Sequence, residues 1–182
     1  MRRMQCKCGE VELSVDAEPI ASTACFCGDC LGSIETIEGL GGDGYRNEYG
    51  GQAVSLVYSD SIRIVRGAER IAAFYQRKPS GLRLYTTCCK VPIGNYMGAL
   101  KVDMLNTVLL DPAGEWPVLQ VNTADLPADR RAAIEGGYKK APLSFAFRFM
   151  SAAFSPFNGH KKKQWVPDSM LVDVPSSRDL LD

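Results

Sequence analysis

Val11, Leu13 and Val15 alternate with Glu10, Glu12, Ser14 and Asp16, and this period of two predicts a half-buried strand near the start of the chain. Pro19 closes that region. From residue 53 to residue 86, short apolar runs separated by breakers predict a meander of strands at 54–58, 62–66, 71–75 and 82–86. Gly67 ends the second of these, and Lys78-Pro79-Ser80-Gly81 makes a turn before the last. Residues 91–96 continue as an expected edge segment, because Pro92 cannot donate to a central ladder. The Leu- and Val-rich stretch 104–110 predicts one more strand. The pattern changes after Asp111-Pro112-Ala113-Gly114. Residues 125–135 predict a helix, with Asp125 as its cap, Pro127 in its first turn and Gly136-Gly137 as its stop. Residues 144–154 predict a second helix, whose Phe145, Phe149, Met150 and Phe154 form an apolar face to pack on the sheet. The expected class is mainly β with C-terminal helices, α+β overall. It divides into residues 1–111 and a mostly helical extension, 112–182, packed on them.

Composition narrows the setting without changing that picture. The chain has 182 residues, 46% hydrophobic and 23% charged, with Lys+Arg and Asp+Glu both at 21. A formal net charge of zero gives no global field toward nucleic acid. The Met1-Arg2-Arg3-Met4-Gln5-Cys6 start has no apolar run behind it, so no signal peptide is expected. No apolar stretch approaches the ~20 residues of a membrane span. The expected setting is cytoplasmic, with neither nucleic acid nor membrane as partner. His160-Lys161-Lys162-Lys163 is expected to be a solvated basic run, with the lone His160 exposed and idle.

The cysteines carry the chemistry. All seven fall into three groups: Cys6 and Cys8; Cys25, Cys27 and Cys30; and Cys88-Cys89. In a reducing setting such grouping points to metal ligation more than to disulfides. A redox thiol relay is the competing reading. Cys6 and Cys8, at i and i+2 in extended backbone, point to the same side, and Gly9 allows a tight turn there. With one histidine in the chain, the ligands to zinc must be almost all thiolates. Seven cysteines divide into four plus three. Cys6, Cys8, Cys88 and Cys89 would close a structural cage, and Cys25, Cys27 and Cys30 would leave a coordination position open. Adjacent Cys88 and Cys89 can both reach one metal only if the backbone turns between them; otherwise one binds and the other is spare. The expected cofactor is zinc, one or two ions per chain.

On three stretches, Cys6-Lys7-Cys8-Gly9-Glu10-Val11, Cys25-Phe26-Cys27-Gly28-Asp29-Cys30 and 84–94 around Cys88-Cys89, the chain resembles the glutathione-dependent formaldehyde-activating enzyme family. The resemblance spans residues 5 to 110. It implies a β-tent of short antiparallel sheets around two zinc sites, with structural zinc on the first and last groups and a more labile zinc on the middle one. It also implies a carbon–sulfur lyase acting on a small, glutathione-type thiol adduct. Alignment on Pro92 puts Cys89 and Thr86 at the family's two cysteines there and Lys90 at its glycine, with Cys88 as an added thiol. Cys89 is therefore expected to be the stronger ligand of the pair. Phe26 stands where the family often has histidine. Tyr45 and Arg46, in the Gly-rich stretch 39–51, are candidate contacts for the carboxylates of a thiol tripeptide, and Asp29 is a candidate proton acceptor. The alternative is a non-catalytic structural zinc module whose C-terminal helices bind a protein partner.

Overall fold

A computed structural model describes residues 1–78, 81–111 and 118–181. The chain is mainly β, with helices added to two sheets. The smaller sheet contains β1 (Arg2–Gln5), β2 (Glu12–Val15), β5 (Ile62–Arg66) and β10 (Leu110–Asp111), in the order β10-β1-β2-β5, all antiparallel. The larger has seven strands: β3 (Ala21–Cys25), β4 (Gln52–Tyr58), β6 (Ile71–Phe74), β7 (Leu82–Thr86), β8 (Pro92–Tyr96), β9 (Val102–Asn106) and β11 (Val118–Val121), in the order β11-β3-β4-β9-β8-β7-β6. Among the described strands, only β11 runs parallel to its neighbour, with Val121 in register with Cys25.

The predicted alternation holds in β2, where Val11, Leu13 and Val15 are buried. They join Met4, Val57, Ile62, Leu84, Ile93, Leu105 and Trp165 in the main core. Burying each such aliphatic side chain contributes on the order of 1.5–3 kcal/mol. The meander strands stand where the pattern puts them. Pro92 is the exception: β8 is interior, between β9 and β7, not an edge. Proline is tolerated because it is the first residue of the strand and faces Tyr85, where the β7–β8 register shifts. The stretch expected as one strand at 104–110 divides into β9, a turn at Thr107–Leu109 and β10, so it serves both sheets.

Among the described residues, three α-helices complete the fold: α1 (Gly28–Gly39), α2 (Ala128–Ala132) and α3 (Leu143–Phe154). α1 was not signalled by the pattern. α2 is shorter than the 125–135 expectation and starts from Pro127, not Asp125. The residue before a proline is pushed out of helical geometry, and Leu126 is indeed extended, so the turn at Thr123–Asp125 cannot run on into the helix. α3 meets the sheet through partly buried Phe149 and buried Ala152 and Ala153, against Leu56 and Val102. Met150 and Phe154, expected on its packed face, are exposed instead. The tail covers the free edge at β6: Tyr75 N–H donates to the Pro175 carbonyl, and Ser177 N–H donates to that of Tyr75. Residues 79–80 of the 78–81 turn and 112–114 of the 111–114 break lie outside the described residues. No helix is long and apolar enough to cross a membrane among the described residues.

Candidate metal centres

The first centre joins the start of the chain to the β7–β8 connection. Cys6 leaves β1, and Gly9, in the left-handed region at φ 79°, turns the chain back so that Cys8 faces the same point. Gly9 N–H donates to the Cys6 carbonyl and Val11 N–H to the Cys6 sulfur, at 3.3 Å. On the other side the backbone does turn between Cys88 and Cys89. Thr86 N–H donates to the Val91 carbonyl, and Lys90 takes left-handed geometry at φ 48°. Four sulfur pairs result: Cys6–Cys8 at 3.5 Å, Cys8–Cys89 at 3.5 Å, Cys88–Cys89 at 3.7 Å and Cys6–Cys88 at 3.8 Å. A tetrahedral thiolate cage with metal–sulfur bonds of about 2.3 Å has edges of about 3.8 Å. All four sulfurs lie within 4.8 Å of one another, so the group can hold a metal ion with every position filled by protein. Burial pushes the Cys89 thiol up. Hydrogen bonds from the Cys8 N–H, the Thr86 hydroxyl and the Cys8 and Cys6 thiols outweigh that and bring it down to about 7. Burial, and then proton donation to Cys8 and Cys89, pushes Cys88 up to about 12. One thiolate is thus favoured before metal arrives, and ligation displaces the remaining protons.

The second centre sits where β3 runs into α1. Cys25 ends the strand, Cys27 precedes the first helical turn, and Cys30 follows within it. The alternation of extended backbone sends Phe26 the other way, into a separate core with Ala24, Leu126 and Ile134. Cys25 donates to the Cys27 sulfur at 3.4 Å, and the three sulfurs lie within 4.8 Å of one another. Donation from Cys25, then from Cys30, holds the Cys27 thiol far below its usual range, at about 2. The N–H groups of Cys30 and Asp29 face the same sulfur without closing a full capping bond. The positive end of α1 adds to that preference for a thiolate. Cys25 and Cys30 are correspondingly raised, each as a proton donor within the triad. From the end of β11, the Asn122 amide donates to the Cys25 sulfur at 3.2 Å. No fourth thiol, imidazole or carboxylate joins this group among the described residues.

The three thiols open into a cavity of about 330 Å³, whose walls include Val54, Arg83, Asn95, Met104, Val121 and Phe145. A larger hollow of about 820 Å³, between Tyr75, Lys78, Tyr96 and Asp173, carries no thiol. Its size does not make it the better site, because the clustered ligands lie elsewhere.

The other residues singled out by the sequence fall as follows. Asp29 lines the three-thiol cavity and pairs with Arg77 at 3.1 Å. Tyr45 lies beside the four-thiol centre, under the Lys7 ammonium at 5.6 Å, and not on the three-thiol cavity. Arg46 is held by both oxygens of Glu38, at 2.8 and 2.7 Å, which spends its fork inside the protein. His160 is neither exposed nor idle. Its ring stacks on Tyr58 at 3.5 Å and meets Asp60 at 2.9 Å, apart from both thiol groups. Sequence reasoning missed Arg83, Asn95 and Asn122. The one available signal was a charge at Arg83 inside an otherwise apolar strand.

A sequence profile of a family of unknown function, DUF6151, matches residues 1–136. The chain belongs to that family. Both thiol centres of this DUF6151 protein, with Arg83, Asn95 and Asn122, fall within the matched region, and α3 lies beyond it. No curated protein matches the chain. Among solved structures, a Rhodobacter sphaeroides protein, a structural-genomics target, is similar with a TM-score of 0.44 and 18% identity, over 64% of this chain and 98% of its own.

Proposed function

We propose that this DUF6151 protein is a zinc-dependent carbon–sulfur lyase acting on a small adduct between a thiol and an aldehyde. The observation that carries this reading is the contrast between the two centres. Four thiolates close one, whereas three leave the other facing a cavity of small-molecule size. All seven cysteines are free of disulfides, as ligation requires. Thiolate donors at tetrahedral spacing suit zinc, and the motif resemblance to the formaldehyde-activating family points to the substrate class. A reducing compartment such as the cytoplasm follows from the need to keep the thiols reduced.

Zinc with an open position favours the anionic form of a sulfur or hydroxyl group brought to it. The chain supplies the rest. Cys25, Cys27 and Cys30 define the face of the cavity at which the substrate sulfur is received. Val54, Met104, Val121 and Phe145 give that cavity an apolar wall. Asp29 is the carboxylate of the cavity wall, oriented by Arg77. In cleavage of a hemithioacetal the carbon–sulfur bond breaks, and the sulfur keeps the electron pair. The hydroxyl oxygen becomes the carbonyl, and its proton passes to Asp29 and then to the departing thiolate. The products are thiol and aldehyde, with no oxidant or reductant consumed.

The test is NMR exchange between formaldehyde and its glutathione adduct, with zinc-loaded protein. Acceleration that is lost in Cys27→Ser with the fold intact supports the proposal. No acceleration by the loaded protein, or acceleration that persists in Cys27→Ser, refutes it. A second reading, a structural zinc module that binds a protein, is favoured by the solvent-facing Phe147, 76% exposed, and Phe157, 94% exposed, on and after α3. It predicts that no low-molecular-weight thiol binds at all.

A further inference from the structure

We infer that the three-thiol cavity contains an anion subsite, in which the Arg83 guanidinium and the Asn95 amide take the carboxylate of a small thiol acid. The inference rests on the proposed function only for the sulfur end of the ligand; the carboxylate end stands on its own observations. Arg83 and Asn95 face each other across β7 and β8 and both line the cavity. Arg83 is 8% exposed and Asn95 5%. The Arg83 Nε and the Asn95 Oδ1 have no hydrogen-bond partner. Among the described residues, no ion pair or hydrogen bond engages the guanidinium. The Asn95 amide nitrogen has only the Met104 sulfur, at 4.0 Å. Asp29, the carboxylate on the same wall, is already held by Arg77.

Arginine stays protonated in proteins, so a cation is buried here without a counter-charge. An unpaired buried charge is strongly unfavourable, and the fold bears it only where something answers it. The planar fork matches a carboxylate better than a point anion does. The rest of the wall is largely apolar, which suits a short carbon chain between carboxylate and sulfur. A volume of about 330 Å³ is at the low end for ligand pockets and sets the size class. The competing role for Arg83 is counter-ion to the metal, since three thiolates around a divalent ion carry net negative charge. That role makes Arg83 matter for metal retention but gives a thiol acid no advantage over a neutral thiol.

Calorimetric titration of the zinc-loaded full chain with mercaptopropionate, mercaptopropanol and propionate separates these roles. Mercaptopropionate should bind about ten- to a hundred-fold more tightly than mercaptopropanol, the usual difference for a charged hydrogen-bonded pair. Arg83→Met should remove that preference and leave mercaptopropanol binding unchanged. Asn95→Asp should also remove it, by placing a carboxylate opposite Arg83, and this variant supplies the missing counter-charge should Arg83→Met fail to fold. Equal affinity of the two thiols for wild type, or a preference that survives in both variants, overturns the subsite. Mercaptopropanol binding without any carboxylate preference would refute the subsite and leave the sulfur site standing. Arg83-dependent binding of propionate with no binding of mercaptopropanol would support the subsite and refute the sulfur site.

Discussion

Removing the four-thiol centre should cost far more stability than removing the three-thiol one, and chain topology sets the ratio. Cys8 and Cys89 are 81 residues apart, so a metal bridging them closes a long loop. Treated as a cross-link, a loop of that length restricts the unfolded chain by about 4.5 kcal/mol. The three-thiol centre is contained in residues 25–30, and a loop of about six residues gives only about 2 kcal/mol on the same relation. For a domain of this size, urea slopes of about 2–3 kcal/mol per molar convert the first figure into a midpoint lowered by about 1.5–2 M. The assay is urea unfolding, under reducing conditions with zinc held constant, of Cys89→Ser, Cys88→Ser and Cys30→Ser. Cys89→Ser should fall by about that amount, Cys88→Ser by somewhat less, and Cys30→Ser by no more than half of it. Equal small losses in all three would show that no metal bridges residues 6–8 to 88–89. A loss in only one of the adjacent pair would show that the backbone turn between them does not bring both sulfurs to one ion.

Three further outcomes are expected. Burial raises the Asp103 carboxyl from 3.8 to about 6, with Trp165 Nε1 donating to it at 2.7 Å. The folded state therefore binds the proton more tightly, stability from this group grows as pH falls from about 6 to about 4, and wild type should gain about 2–3 kcal/mol relative to Asp103→Asn from pH 7 to pH 4 in denaturant titrations. Lys90 holds left-handed geometry in the connection that carries Cys88 and Cys89, so Lys90→Gly should raise stability by up to about 1 kcal/mol, and a loss in thermal unfolding would contradict this. Asn122→Leu removes the amide from the Cys25 sulfur and should weaken added zinc at the three-thiol centre about ten- to a hundred-fold in competition with a chromophoric chelator, leaving binding at the four-thiol centre unchanged.

What the sequence disclosed follows from what is local. Val11, Leu13 and Val15 announce their strand because one face of it meets the core and the other meets water. The four-plus-three division of the thiols was legible because ligands to one ion must converge and their spacing records that. The turn between Cys88 and Cys89 was not, because the left-handed residue after them is Lys90 rather than glycine. α1 was hidden by Gly28, Gly32, Thr36 and Gly39, poor helix formers whose cost is met by packing Ile34 and Ile37 into the core. The parallel pairing of β11 with β3 joins residues nearly a hundred apart, and no short-range pattern encodes it. Arg83, Asn95 and Asn122 are ordinary in sequence. They gain meaning only when β7, β8 and the residue after β11 come to one cavity. The apolar face of α3 was found but assigned too broadly, since Phe149 turns inward while Met150 and Phe154 do not.

The distance between Cys8 and Cys89 also has a consequence for biosynthesis. A ribosome adding about 5–20 residues per second needs about 4–16 s to pass from one to the other. Through that interval Cys6 and Cys8 are without their later partners, while Cys25, Cys27 and Cys30 have already been made. Five sulfurs thus coexist in the nascent chain, enough to build a four-thiolate cage from the wrong members. Metal that arrives early can lock that mispaired intermediate, and metal that arrives after residue 89 cannot. Cell-free translation in excess zinc should accordingly give a smaller native fraction than translation in a chelator followed by zinc. Equal native fractions would mean that the nascent chain keeps its first two cysteines from the next three by some other device.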